Sequence, residues 1–157
     1  MRVTFLGTGT SHGIPMIGCD CAVCRSDDPR NKRLRPSVFV ETETARLLID
    51  ATPDFRTQAL RAKMPSIDAV LLTHTHADHF LGLDDLRVFT QRAGRAMPLY
   101  GLAESLNDVQ RVFHYACTEK PAWPSLPSFA PQVIEAGQEY AVGDARFRAV
   151  ELPHGFM

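Results

Sequence analysis

Apolar and polar residues alternate at the start of the chain, in "RVTFLG" (residues 2–7), and a period of two predicts a strand. No sustained period follows from Thr8 to Pro36, a stretch with three glycines and three prolines. A structureless loop of that length is uncommon in a compact domain unless something ties it down. Two apolar runs, "SVFVET" and "ARLLID", then read as strands joined by a hairpin turn through "ETETA". "TPDFRTQALRAKM" predicts a helix over 52–64. Thr52 is placed to cap it, Pro53 suits its first position, and Asp54 suits the positive end of its dipole. Phe55, Ala59, Leu60, Ala62 and Met64 give it an apolar side, and Pro65 ends it. "DAVLLTH" (68–74) is apolar on both faces and predicts a buried strand. A second helix is expected over 80–94, with Leu83, Leu86, Val88 and Phe89 inward by spacing. A short strand at 97–101 and a third helix over 103–117 follow. Residues 118–131, with four prolines, predict a loop. Strands at 132–136, 138–142 and 146–152 close the chain, with Gly137 and Gly143 in the turns. The order is that of a mixed α/β protein.

Composition narrows this picture. A chain of 157 residues, 45% apolar and 22% charged, can form one globular domain with a real core. A net charge of −1 with no basic stripe argues against nucleic acid as the main partner. No apolar run approaches the roughly 20 residues needed to span a bilayer. The N-terminal apolar run gives way at once to glycines and polar residues, which reads as strand and loop rather than a signal peptide. A cytoplasmic protein is expected. Three of the four cysteines, Cys19, Cys21 and Cys24, lie within six residues of one another, and Cys117 stands apart. Cysteines so close make poor disulfide partners, so their clustering needs another cause.

The buried strand runs into "HTHADH": His74, His76, Asp78 and His79. Residues two apart on an extended backbone point to the same side, so His74 and His76 can aim two imidazoles at one point. Asp78 and His79 fall where the chain turns into the next helix and can reach a second point nearby. Imidazole and carboxylate suit Zn²⁺, Mn²⁺ or Fe. A lone histidine at a strand end is usually a surface or capping residue. Four such groups in six residues without a metal would leave polar atoms to satisfy for no structural gain.

This stretch resembles the H-x-H-x-D-H motif of the metallo-β-lactamase fold superfamily. "LLIDATPD" is similar to the family strand that ends in an aspartate near the metals, here Asp50. "FLGTGTSHGIPMIGCDCAVC" and "LGLDDLR" resemble the branch containing a phosphodiesterase that hydrolyses a phosphoribosyl cyclic phosphate. The resemblance implies an αββα sandwich, of which these residues would form the N-terminal half and the first strands of the second half. It implies one incomplete domain over 1–157, with an inserted loop at about 8–36 anchored by metal. It assigns His74, His76 and, by position, His154 in "ELPHG" to a first active-site metal, and Asp78 and His79 to a second. The remaining ligands of the family pattern come from its second half, so the chain is expected to be C-terminally truncated. A terminal histidine taken alone is more ordinarily a solvated one.

"CDCAVC" gathers three thiolates, Cys19, Cys21 and Cys24, in one loop, a set suited to a structural zinc that would anchor it. Unligated cysteines in a surface loop are the plainer alternative. Structural zinc takes four ligands; the resembled branch uses a histidine from the C-terminal part, while His12 and Cys117 are the candidates within this chain. His12 is expected near the rim of the site, and Cys117 half-buried at a helix end. Arg30, Lys32, Arg33 and Arg35 form a solvated basic face or, alternatively, a rim that steers anions. Asp84, Asp85 and Arg87 suit an early helical turn, or a position behind His79, and His114 suits packing or surface.

The expected function is hydrolysis of a phosphodiester, cyclic ones included, by two divalent metals (Zn or Mn) that share a bridging hydroxide. Asp78 and His79 are the catalytic candidates, and a small molecule is the substrate. A homodimer is possible for the intact protein. Alternatives are the same fold hydrolysing an ester, thioester or lactam, and a non-catalytic metal-binding chain.

Overall fold

The computed structural model describes residues 1–118 and 125–154. The middle of the proline-rich loop (119–124) and the three residues after His154 lie outside them. Six strands form one sheet in the order of their sequence: β1 (Arg2–Gly7), β2 (Ser37–Glu41), β3 (Arg46–Ile49), β4 (Ala69–Leu71), β5 (Met97–Gly101) and β6 (Phe129–Val133). β1, β2 and β3 pair antiparallel, and β3 to β6 pair parallel. A short hairpin turn joins β2 to β3, while the long 8–36 loop connects β1 to β2. The parallel pairs need crossovers, which the helices supply.

Register sorts the side chains onto two faces. Phe39, Leu48, Val70 and Leu99 stand opposite one another across β2 to β5. They meet Phe55 of α1 (Phe55–Ala62), Phe80 of α2 (Ala77–Phe80), Phe89 of α3 (Arg87–Ala93), and Leu106 and Val109 of α4 (Ala103–Val112) in one core. Leu48, Val70 and Leu99 are fully enclosed there, each contributing about 1.5–3 kcal/mol through burial. The opposite face carries Val40, Leu47, Ala69 and Leu71. It is partly covered by a separate hairpin, β7 (Glu139–Val142) with β8 (Ala145–Arg148), through Val142, Ala145 and Phe147. Helices on one face and the start of a second β layer on the other match the expected half of an αββα sandwich.

Several boundaries differ from the sequence reading. α1 begins at Phe55 with Asp54 as its cap position. Thr52 is buried instead, its hydroxyl accepting the Asp54 N–H at 3.1 Å and donating to Gln58 Oε1 at 3.2 Å. Leu60 and Val88 face solvent, so the apolar stripes of α1 and α3 are narrower than spacing alone implied. The expected helix over 80–94 is broken. α2 ends at Phe80, Gly82 turns the chain, and a 3₁₀ turn over Leu83–Leu86 precedes α3. A Cβ on Gly82 would lie 1.8 Å from the Thr52 carbonyl oxygen, so close packing dictates the break. The third helix likewise ends at Val112 and passes into a 3₁₀ turn, His114–Ala116. β6 begins inside the proline-rich run. Pro131 is tolerated because β6 pairs on one side only, where a missing N–H is no loss. β4 and β8 are shorter than expected at their C-terminal ends, and β7 starts one residue later.

The long loop at 8–36 folds back on itself. Ile14 and Arg33 exchange backbone hydrogen bonds at 2.8 Å, and the Gly9 N–H donates to the Leu34 carbonyl at 2.8 Å.

Candidate metal centre

β4 ends at Leu71, and the chain continues extended to His76, the cap position of α2. The strand places His74 and His76 on one side, and the turn into α2 brings Asp78 and His79 beside them. His154, after β8, arrives from the far end of the chain. His74 Nε2 lies 3.0 Å from His76 Nδ1, and His154 Nε2 lies 3.3 Å from the same atom. One ring nitrogen from each of the three residues lies within 4.8 Å of the others. At metal–nitrogen distances of about 2.0–2.1 Å, two imidazoles on a tetrahedral ion stand about 3.3 Å apart. The spacing therefore fits a divalent cation.

His79 sits on the other side of His74, with ring centroids 4.1 Å apart. Its Nδ1 is 2.7 Å from Asp50 Oδ2 and its Nε2 is 3.4 Å from Asp78 Oδ2. The hydrogen bond to Asp50 raises the His79 pKa, against the effect of burial. Burial lowers that of His74, and the neighbouring His79 and His76 add to the effect. The structure thus brings His74, His76 and His154 together and sets Asp78 and His79 beside them. Among the described residues the Asp78–His79 pair gathers no third candidate ligand.

Three supporting contacts carry no local sequence signal. Asp50, buried at the end of β3, accepts the Thr73 N–H at 2.8 Å and the Thr73 hydroxyl at 2.7 Å. Ser37 on β2 donates its hydroxyl to the Asp50 carbonyl at 2.8 Å. Thr75, between the two motif histidines, donates to Asp108 on α4 at 2.7 Å, which pins the loop to that helix. Thr75 and Asp108 are 33 residues apart, and only the fold joins them.

The cysteine loop forms a second cluster. The sulfurs of Cys19, Cys21 and Cys24 lie within 4.8 Å of one another, and all four cysteines are free. The Cys24 backbone N–H, followed by the Cys19 thiol, lowers the Cys21 thiol to about 7. Deprotonated sulfur at this spacing fits a soft divalent ion. His12 is exposed and Cys117 half-buried. Among the described residues neither completes a fourth position.

The lesser candidates resolve into structure. Arg35 is bound to Asp54 at 2.9 Å and to the Ser11 carbonyl at 2.8 Å, and Arg30 to Asp28 at 2.6 Å. Among the described residues, Lys32 and Arg33 of that basic run have no carboxylate partner, and the Arg33 side chain donates to the Arg30 carbonyl. Asp84 pairs with Arg87 and accepts the Tyr115 hydroxyl at 2.9 Å. His114 is exposed. No helix among the described residues is long and apolar enough to cross a membrane.

Known proteins share this fold. The family described as the beta-lactamase superfamily domain matches residues 45–156. An octanoyltransferase from Porphyromonas gingivalis is 40% identical over 156 residues, which cover 99% of this chain and 31% of that protein. A solved diphosphatase of the PhnP family superposes with a TM-score of 0.81 at 42% identity, covering 93% of this chain and 54% of that one. Zinc-bound PqqB from Methylobacterium extorquens gives 0.68 at 28% identity, covering 89% and 48%. The chain thus spans about half the length of the solved structures it matches. The zinc-bound relative and the convergent nitrogens together support divalent-metal binding. The matched span and the superposition on these solved structures show that the chain belongs to the beta-lactamase superfamily and has the metallo-β-lactamase fold.

Proposed function

We propose that this chain carries the histidine side of a divalent-metal hydrolase centre acting on a small phosphodiester or diphosphate, cyclic ones included. The observation that carries the reading is the meeting of His74, His76 and His154 at tetrahedral spacing beside Asp78 and His79. The likeness to a PhnP-family diphosphatase, at 42% identity, favours phosphate over carbon esters. The octanoyltransferase name belongs to a protein of which this chain covers 31%, and its activity is not carried over.

In this reading His74, His76 and His154 hold one ion, Zn²⁺ or Mn²⁺, and Asp78 and His79 begin the seat of a second and touch the reacting group. Cys19, Cys21 and Cys24 hold a structural zinc. When bound, the active-site ions supply Lewis-acid polarisation of a phosphoryl oxygen and activation of water. The protein's own work is to fix the imidazoles. Thr75 and Asp108 hold the loop between them, and Asp50 holds His79. The reading places the protein in the cytoplasm, away from membranes and nucleic acid, with a homodimer open to the intact form.

A second reading, metal binding without turnover, has its own support. Among the described residues the Asp78–His79 pair has two ligands and the cysteine cluster three. Assay of the Zn²⁺- or Mn²⁺-loaded chain against bis(p-nitrophenyl) phosphate, a nitrophenyl ester, a thioester and a chromogenic lactam separates the possibilities. Slow phosphodiester turnover that disappears in His76→Ala, with one tightly held active-site ion, is the expected result. Faster turnover of the ester, thioester or lactam overturns the phosphate assignment. Metal uptake with no turnover of any substrate selects the second reading.

A further inference from the structure

Asp50 follows β3 in a left-handed backbone conformation, φ 60°, which aspartate tolerates better than most residues. The turn directs its carboxylate into the protein, where the residue is 4% exposed. Oδ1 accepts the Thr73 N–H at 2.8 Å. Oδ2 accepts two donors, the Thr73 hydroxyl and His79 Nδ1, each at 2.7 Å. The same Thr73 oxygen lies 3.0 Å from His74 Nδ1.

A hydroxyl has one proton. Thr73 gives it to Asp50, since a carboxylate accepts and does not donate. Toward His74 the Thr73 oxygen can then only accept, so His74 Nδ1 must carry the proton. That leaves His74 Nε2 bare, and Nε2 is the atom 3.0 Å from His76 Nδ1 inside the histidine cluster. The same reasoning applies to His79. Its Nδ1 donates to Asp50, leaving Nε2 bare and 3.4 Å from Asp78 Oδ2.

We infer that Thr73 is a positioning residue that relays the Asp50 carboxylate to His74, so that one buried acid sets the tautomers of both His74 and His79. A bare Nε2 is thereby presented to each of the two candidate metal positions, and the two positions share one support. Without the hydroxyl, His74 Nδ1 loses its acceptor and the proton is free to move to Nε2, where it blocks ligation. Hydrogen-bonding partners of ligating histidines fix ring orientation and tautomer, and their removal typically weakens metal binding 10–100-fold. The relay rests on the metal-binding reading of these histidines.

Ring ¹⁵N–¹H correlation spectra of the ¹⁵N-histidine-labelled, metal-free chain at pH 8 distinguish the two tautomers. In the wild type both His74 and His79 are expected to be protonated at Nδ1. Thr73→Val keeps the shape and removes the hydroxyl. It should move the His74 proton to Nε2, leave His79 unchanged, and weaken Zn²⁺ binding at the histidine cluster by about 10–100-fold. Following the Zn²⁺ titration on the His74 and His76 ring nitrogens separates this site from the cysteines. Thr73→Ser should restore both the tautomer and the affinity. The relay is overturned by an Nε2–H His74 in the wild type, a result that needs no variant to fold. It is also overturned if Thr73→Val retains the Nδ1–H pattern and binds Zn²⁺ within about twofold of wild type. Equal losses in Thr73→Ser and Thr73→Val overturn it too, because packing is then the cause. Failure of Zn²⁺ to bind the wild type overturns the metal reading, while the metal-free spectrum still decides the relay.

Discussion

A carboxylate in solvent that accepts four hydrogen bonds is held in its charged form by geometry rather than by burial. Asp144, in the turn between β7 and β8, accepts from the hydroxyls of Thr42 and Thr44 and from the backbone N–H groups of Glu43 and Thr44. The Thr42 hydroxyl, then that of Thr44, holds the Asp144 pKa well below the usual carboxylate range. A depressed folded pKa contributes stability that is fully present above the unfolded value, about 3.9, and is lost as pH falls through the folded value. Asp144→Ala should therefore melt below the wild type at pH 7, and the gap should close only in strong acid. Thermal melts at pH 7, 4 and 2 check this; a constant gap across them excludes a charge-linked origin. The same scale shows what sequence reading reaches. His74, His76, Asp78 and His79 were legible because their chemistry is dense and local. Asp144 with Thr42, and Thr75 with Asp108, were not. Each pair unites residues far apart in sequence, and a single acid or threonine in a turn carries no signal of its partner.

At the scale of elements, the positions of the strands read well from apolar runs bounded by turns, since β1 to β5 all fall on them. The helices read less well. Spacing that looks continuous from Phe80 to Gly94 hides a break forced by packing. Gly82 donates its N–H to the Ala51 carbonyl at 2.9 Å, and Ala51 donates to the His79 carbonyl at 2.8 Å. These two bonds staple the end of β3 to α2, the helix that carries Asp78 and His79. A methyl group at position 82 would strike backbone, 1.8 Å from the Thr52 oxygen, so no side-chain rotation relieves it. Gly82→Ala is expected to cost at least the 1–3 kcal/mol typical of overpacking, and to shift the helix that seats His79. Denaturant unfolding together with Zn²⁺ stoichiometry measures both effects. Unchanged stability would mean that the loop between Asp50 and Asp54 yields more easily than its contacts imply. The start of β6 was misplaced for the converse reason. Prolines read as loop, yet on a strand paired at one edge Pro131 costs nothing, and that position becomes visible only once β5 is in place.

The whole molecule is lopsided. One face of the sheet is sealed by the helices. The other carries two apolar rows across the strands, Phe5–Val38–Ile49–Leu71–Tyr100 and Val3–Val40–Leu47–Ala69, by register. The β7–β8 hairpin covers the Leu47 and Ala69 end through Ala145 and Phe147. The far end stays open, leaving Phe5 69% and Val3 47% exposed on β1, a strand that pairs on one side only. An apolar patch beside a free strand edge favours association through both burial and backbone pairing. The chain alone should therefore self-associate as its concentration rises. The double substitution Val3→Thr/Phe5→Thr keeps strand propensity while removing apolar area, and should shift the distribution toward monomer. Sedimentation velocity over a concentration series reads the outcome directly. A wild-type chain that stays monodisperse and monomeric, with a sharp cooperative melt, would show that the open rows are too small to drive contact. Because the histidine cluster lies at the strand ends and not on this face, Zn²⁺ binding should be unaffected by the double substitution. A fall in affinity would reveal that covering the face and assembling the metal centre are one process.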